Sequence, residues 1–182
     1  MTDALQRFVG EMSTLVNAYE DEPHLLECAR AAMRQLIAVD DWLLDAFAKP
    51  HPVYYQQYLL HRDPADRFSV VSFVWGPGQM TPVHDHTVWG VIGMLRGAER
   101  AVPYKFKGGR MVQSGDEVRL EPGDVELVSP SIGDIHLVSN AYDDRVSISI
   151  HCYGADIGKV RRHVYDINNG AVKEFVSGYA NA

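Results

Sequence analysis

A chain of 182 residues that is 46% hydrophobic and 23% charged has the composition of one globular domain, not of a disordered segment. Its formal charge of -7, without any cluster of Lys or Arg, makes nucleic acid and anionic membrane poor partners and leaves a small molecule as the better one. The apolar runs fall far short of the roughly 20 residues that span a bilayer, Cys28 and Cys152 are too few for a disulfide framework, and MTDALQRFVG lacks signal-peptide character, so a reducing, cytoplasmic setting is expected.

In the first twenty residues Leu5, Phe8, Val9, Met12, Leu15, Val16 and Tyr19 recur at steps of three and four, which predicts an amphipathic helix. A second helix starts at the acidic, proline-bearing turn Asp21-Glu22-Pro23 and carries Leu25, Leu26, Ala29, Met33, Leu36 and Ile37 on one stripe. Asp40 or Asp41 then caps a short third helix, DWLLDAF, which Pro50 and Pro52 end.

Beyond Pro52 the segments VYYQQYLL, RFSVVSFVW, VWGVIGML, RAVPYKF, EVRLE and RVSISIHCY are short, rich in β-branched and aromatic residues, and separated by Gly, Pro and Asp turns. They predict a mainly β fold, an antiparallel sandwich or barrel with the three helices packed outside it. No linker interrupts the chain, so a single domain over 1–182 is expected: a helical lead over 1–50, the barrel over 51–165, and an extension over 166–182 whose end, SGYANA, frays.

Residues 82–90 read PVHDHTVWG. On a strand His84 and His86 share a face, with Asp85 opposite, and can chelate one ion. Gly78 precedes the pair by five residues, and Gly90 and Gly97 follow at intervals of three and six; further on, EPGDVELVSPSIGDIHLVSN holds Gly123, Pro130, Gly133, His136 and Asn140. These two blocks resemble the motifs of the cupin superfamily, which implies a double-stranded β-helix barrel and makes His136 the third ligand. Two departures stand out: Gly90 replaces the usual Glu, and the second block has an extra residue on each side of Pro130. Three neutral nitrogens without a carboxylate leave the full charge of a divalent ion and up to three positions for other ligands; zinc with a bound hydroxide is a chemical alternative to a redox metal.

In RVSISIHCY, Val146, Ile148, Ile150 and Cys152 lie on one face, and Ser147, Ser149, His151 and Tyr153 on the other. A strand with one wet face would look like this. So would a barrel strand whose polar face points inward, where hydroxyl, imidazole and phenol at two-residue steps can form a relay. With three cupin histidines and no Glu, this Ser-x-His-x-Tyr run resembles the cysteine dioxygenase type I family of thiol dioxygenases, which includes bacterial 3-mercaptopropionate dioxygenase. The resemblance spans about residues 50–165 and implies one Fe(II) per chain on His84, His86 and His136, with O2 as co-substrate. Its implied outer triad is Ser149, His151 and Tyr153, and its reaction turns a small thiol into a sulfinic acid.

Gly90 also occupies the place of a cysteine that crosslinks the triad tyrosine in some members, so no crosslink is expected; Cys152 faces away and is read as core. Where those members hold the substrate carboxylate with the arginine of a Tyr-x-Arg segment, this chain has Gln56 and Gln57. Arg161 and Arg162 are the remaining cations, and by resemblance to the bacterial branch Arg162 is the better match, favouring 3-mercaptopropionate over cysteine. His24, His51, His61 and His163 follow no ligand spacing and are read as surface or capping residues, Trp75 and Trp89 as barrel packing, and Asp85 and Asp134 as partners of the imidazoles or surface groups. The competing readings are another metal-dependent cupin enzyme (hydrolase, isomerase or ring-cleaving dioxygenase) and a non-catalytic small-molecule sensor. Oligomeric state has no sequence signal.

Overall fold

A computed structural model describes residues 1–181. Helices α1 (Asp3–Ala18) and α2 (Glu22–Leu36) form as the apolar stripes require. The expected third helix does not: only a single 3-10 turn forms, at Asp45–Phe47, with Leu44 in an extended conformation before it. Seven residues barely repay helix nucleation, and tertiary contacts claim them instead. Trp42 is buried in the main core, and Asp40 accepts two hydrogen bonds from the Arg96 guanidinium, at 2.6 and 2.9 Å.

Twelve strands follow, all paired antiparallel. One sheet runs β1 (Gln56–Arg62), β2 (Ser69–Trp75), β10 (Ser147–Tyr153), β4 (Gly90–Arg96), β8 (Val125–Val128). The other runs β12 (Val172–Phe175), β11 (Arg162–Tyr165), β3 (Val83–His84), β9 (His136–Asn140), β5 (Glu99–Lys107), β6 (Arg110–Gln113), with β7 (Val118–Leu120) also on β5. Val71, Phe73 and Trp75 of β2 and Met94 of β4 pack with Ala101 of β5, Leu120 of β7 and Val138 of β9, so the two sheets share one interior.

The first sheet is buried on both faces. Its outer face, with Val70, Val74, Val91, Leu95, Ile148, Ile150 and Cys152, packs against Phe8 and Met12 of α1 and Leu26, Ala29 and Met33 of α2. β10 is therefore buried along its whole length, which decides the question its alternating pattern left open: the polar face points inward, not into water. Gly93 permits the close approach of α2, because a Cβ there would lie 2.7 Å from Met33 Cγ and 3.0 Å from Ile37 Cδ1.

The tail does not fray over the described residues. Ala180 N donates to Gln57 O at 2.8 Å, and the Asn181 amide both accepts from Leu59 N and donates to Leu59 O. Tyr179 donates to Asp156 at 2.5 Å. Ample polar partners on β1 outweigh the entropy of a short polar segment, a term that its own composition could not reveal.

Asp63 closes the β1–β2 hairpin. It is 2% exposed, and its carboxylate accepts from Ala65 N, Arg67 N, Arg67 Nε and an Arg67 terminal nitrogen. The Arg67 hydrogen bonds hold its pKa at about 2, below its ordinary 3.8. A depressed carboxylate stabilises the fold above its unfolded pKa, and that contribution drains away as pH falls through both values. Asp63→Asn is therefore expected to lower the urea midpoint at pH 6, with the gap to wild type narrowing as pH falls from about 4 toward 2; denaturation curves over this range check it.

Candidate metal centre

His84 and His136 face each other as a register pair on the adjacent strands β3 and β9, and His86 lies just past the end of β3. Their ring centroids stand 4.9 to 5.0 Å apart, and one nitrogen from each falls within 4.8 Å of the others. Among the described residues this is the one group of three or more such side chains close enough to hold an ion.

The tautomers follow from the backbone. His84 Nδ1 lies 3.1 Å from Pro82 O, and His86 Nδ1 lies 2.9 Å from Asp134 O. A carbonyl oxygen only accepts, so each Nδ1 carries the hydrogen and each Nε2 presents a lone pair. Burial then keeps protons off those lone pairs. Desolvation brings His84 down to about 4 and places His86 and His136 well below the ordinary imidazole value; neighbouring imidazoles add to the effect at His86 and His136, and the Arg162 charge adds to it at His84 and His86. His136 Nε2 is buried with no hydrogen-bond partner. Leaving such a buried polar atom unsatisfied costs about 1–3 kcal/mol, and a divalent cation bound to its lone pair removes that cost. The three histidines thus fit a metal ion.

The flanking acids hold the ligands' frame. Asp134 accepts from the backbone N–H of His86 and Thr87, at 3.1 and 2.9 Å. Asp85 points the other way, as alternation requires, and accepts from His163 N, His163 Nδ1 and the Tyr165 hydroxyl at 2.7 to 2.8 Å. His163, read from sequence as a surface or capping residue, is instead part of the clasp between β3 and β11.

Beside the histidines, Ser149, His151 and Tyr153 form a continuous chain on β10. Ser149 Oγ is 2.7 Å from His151 Nε2, and His151 Nδ1 is 2.7 Å from the Tyr153 hydroxyl. Phe73 stacks on His151 at 4.1 Å, and the Tyr153 ring stacks on His86 at 5.4 Å. Burial holds His151 at about 3 and pushes the Tyr153 phenol up, so both are neutral. The Tyr153 ring lies against Gly90, its register partner on β4: a Cβ there would come within 2.8 Å of two ring carbons. Position 90 therefore offers no sulfur for a crosslink. Cys152 points into the helix-facing core, its thiol pKa pushed up by burial.

With this geometry in place, the comparison with known families is decisive: the model of the family described as cysteine dioxygenase type I matches residues 37–166, most of the chain. The chain belongs to the cysteine dioxygenase type I family. A Klebsiella pneumoniae protein of uncharacterised function with a double-stranded β-helix domain is 15% identical, with a TM-score of 0.50 over 74% of this chain and 90% of that one. A cupin superfamily protein of Desulfitobacterium hafniense is 13% identical over 65% of this chain and 94% of that one, with a TM-score of 0.48. The first likeness shows the expected double-stranded β-helix, preceded here by two helices and not three.

In this family member the paired candidates separate. Arg162 is 3% exposed and lines the cavity of the histidines, whereas Arg161 points outward to Glu174. Gln57 lines the same cavity, and Gln56 a surface groove beside it. Ser177 Oγ accepts from both Gln57 Nε2, at 2.9 Å, and an Arg162 terminal nitrogen, at 2.7 Å. Arg162 Nε is buried without a partner, and Phe175 covers the guanidinium face. Tyr55 and Trp75 complete the wall. Trp75, read as barrel packing, also gives its indole N–H to Ser149 Oγ at 3.3 Å. Loading the chain with one divalent ion is expected to raise the thermal midpoint. His136→Ala should abolish both that rise and retention of the metal through gel filtration, as read by calorimetry and elemental analysis.

Proposed function

We propose that this protein is an Fe(II)- and O2-dependent dioxygenase that oxidises a small carboxylate-bearing thiol to its sulfinic acid, with 3-mercaptopropionate preferred and L-cysteine next. The observation that carries the substrate class is Arg162, a buried guanidinium with a partnerless Nε in the cavity of three neutral imidazoles. A buried cation without a carboxylate partner suits an anion that arrives with the substrate. Gln57, standing where other members carry arginine, has no charge to compete for that anion. The cavity is narrow and walled by Tyr55, Phe73, Trp75 and Phe175, which suits a small thiol.

The charges leave one positive in excess. Arg162 and a divalent ion together carry three positive charges against two negative charges on a thiolate carboxylate, and the surplus holds the sulfur deprotonated. Bound iron(II) supplies a redox centre at which thiolate and dioxygen meet, and both oxygen atoms end on sulfur, RSH + O2 giving RSO2H. The chain's residues do the placing. Arg162 fixes the carboxylate end, the Tyr153 phenol hydrogen-bonds at the reacting end, His151 orients the phenol, and Ser149 orients His151. Phe73, Trp75 and Val138 keep bulk water out.

Oxygen uptake by the iron(II)-loaded protein is expected with 3-mercaptopropionate, less with L-cysteine, and least with cysteamine, which lacks a carboxylate. Arg162→Ala should lower kcat/KM for 3-mercaptopropionate by about 10- to 100-fold, the worth of one charged hydrogen-bonded contact, and leave cysteamine turnover nearly unchanged. Absence of thiol-dependent uptake from the iron-loaded protein would refute the reading.

A further inference from the structure

The relay on β10 does not end at Ser149. Glu99, the first residue of β5, points into the barrel interior with Ala101, while Arg100 between them is exposed. The residue before it, Ala98, is pinned by the Ser147 hydroxyl, which lies 3.0 Å from both the Ala98 N–H nitrogen and its carbonyl oxygen. The Glu99 side chain is 2% exposed and its Oε1 has no partner. Ser149 and Trp75, themselves joined by a 3.3 Å hydrogen bond, are the side chains near enough to lower its carboxyl pKa by hydrogen bonding, against the burial that raises it. An isolated acid in an apolar interior is costly where a leucine would pack, yet this one stands at the far end of the three-residue chain that leads to the metal ligands.

We propose that Glu99 is a positioning residue: acting through Ser149 and His151, its protonation state decides whether the Tyr153 phenol can donate a hydrogen bond toward the three histidines. The catalytic meaning rests on the dioxygenase reading; the hydrogen-bond device does not. Ser149 has one hydrogen and two lone pairs, and Trp75 occupies one lone pair. With Glu99 ionised, Ser149 donates to Glu99 and accepts from His151 Nε2–H, so His151 Nδ1 is a bare acceptor and takes the Tyr153 O–H. With Glu99 protonated, it donates to Ser149, Ser149 donates to His151 Nε2, and His151 Nδ1–H donates to the phenol oxygen. The Tyr153 O–H is then free to point into the cavity. One added proton on Glu99 reverses every bond in the chain, and the chain from Glu99 to Tyr153 stays continuous in both states.

Few other groups act on Glu99. From β10 it faces Ser149, with Tyr153 close enough to feel its charge; from β2, Trp75; from β8, Glu126, whose charge adds to the burial that raises Glu99 to about 7. Its backbone partners on β7 and β9 are Leu120 and Asn140, neither titratable. Glu126 is partly exposed and lines an outer groove with Arg30 and Arg34, which gives the buried pair a route for proton exchange with solvent.

The test is nitrogen NMR on the full chain loaded with zinc(II), a diamagnetic ion, between about pH 5 and 9. The His151 signals are assigned by their loss in His151→Phe. In the wild type the hydrogen is expected to move from Nε2 to Nδ1 as pH falls, through a single neutral-range midpoint. Glu99→Gln, whose amide donates to Ser149 at any pH, should hold the Nδ1–H form throughout, and Ser149→Ala should uncouple His151 from pH. A wild-type His151 that keeps one form across the range, or a Glu99→Gln variant that switches like the wild type, overturns the proposal. Should Glu99→Gln not fold, the wild type and Ser149→Ala decide it. In the iron(II)-loaded enzyme, kcat/KM is expected to fall about tenfold across the same midpoint as pH rises, and Glu99→Gln should remove that limb; an unchanged limb counts against the proposal. If no thiol drives oxygen uptake in any variant, the dioxygenase reading fails, while the nitrogen shifts still decide the relay.

Discussion

Keeping protons off His84, His86 and His136 is the condition on which the rest of the interior is arranged. An imidazole in water is protonated about half the time near pH 6.5 and then cannot ligate. Here desolvation by the two facing sheets is the largest cause of the lowered values, and carbonyl oxygens, which cannot donate, fix the hydrogens on the far nitrogens. Without a carboxylate in the set, the positive charge of a bound ion is left for exogenous anions to neutralise. The buried Arg162 adds a further positive charge to that cavity, so on the proposed reading an anionic substrate would offset both.

β4 shows how one strand serves two masters through two glycines. Gly93 faces outward and lets Met33 of α2 rest on the sheet; Gly90 faces inward and lets the Tyr153 ring lie flat against the backbone. Overpacking such contacts costs about 1–3 kcal/mol. Lengthening either side chain would therefore pry off the helices or tilt the phenol away from His86. In this chain the orientation of Tyr153 is set by packing against Gly90 and His86.

The alternation of β10 and the His84–His86 pair were legible because they depend on local geometry, a two-residue period; His136 joined them only through the resemblance to the cupin motifs, since its register with His84 is set by strand pairing. Glu99 was not legible: at the head of the run ERAVPYKF it looks like an ordinary surface acid, and only the partner strands reveal that it points inward. The short helix over DWLLDAF failed because Trp42 and Asp40 found better partners in the sheet. Asp85, His163 and Tyr165 likewise become a unit only when β3 and β11 pair. Gln56 and Gln57 were indistinguishable in sequence for the same reason: which one faces inward depends on where the strand begins.

The tail that ends in Tyr179, Ala180 and Asn181 lies along β1, the outermost strand of its sheet. Unpaired strand edges invite other chains to add to them. The segment that brings Ser177 to Arg162 and Gln57 also occupies the backbone groups of Gln57 and Leu59 that a stray strand would seek. The same short segment thus both covers a sheet edge and steadies two side chains of the cavity, so loosening the tail would expose β1 and free Arg162 and Gln57 together.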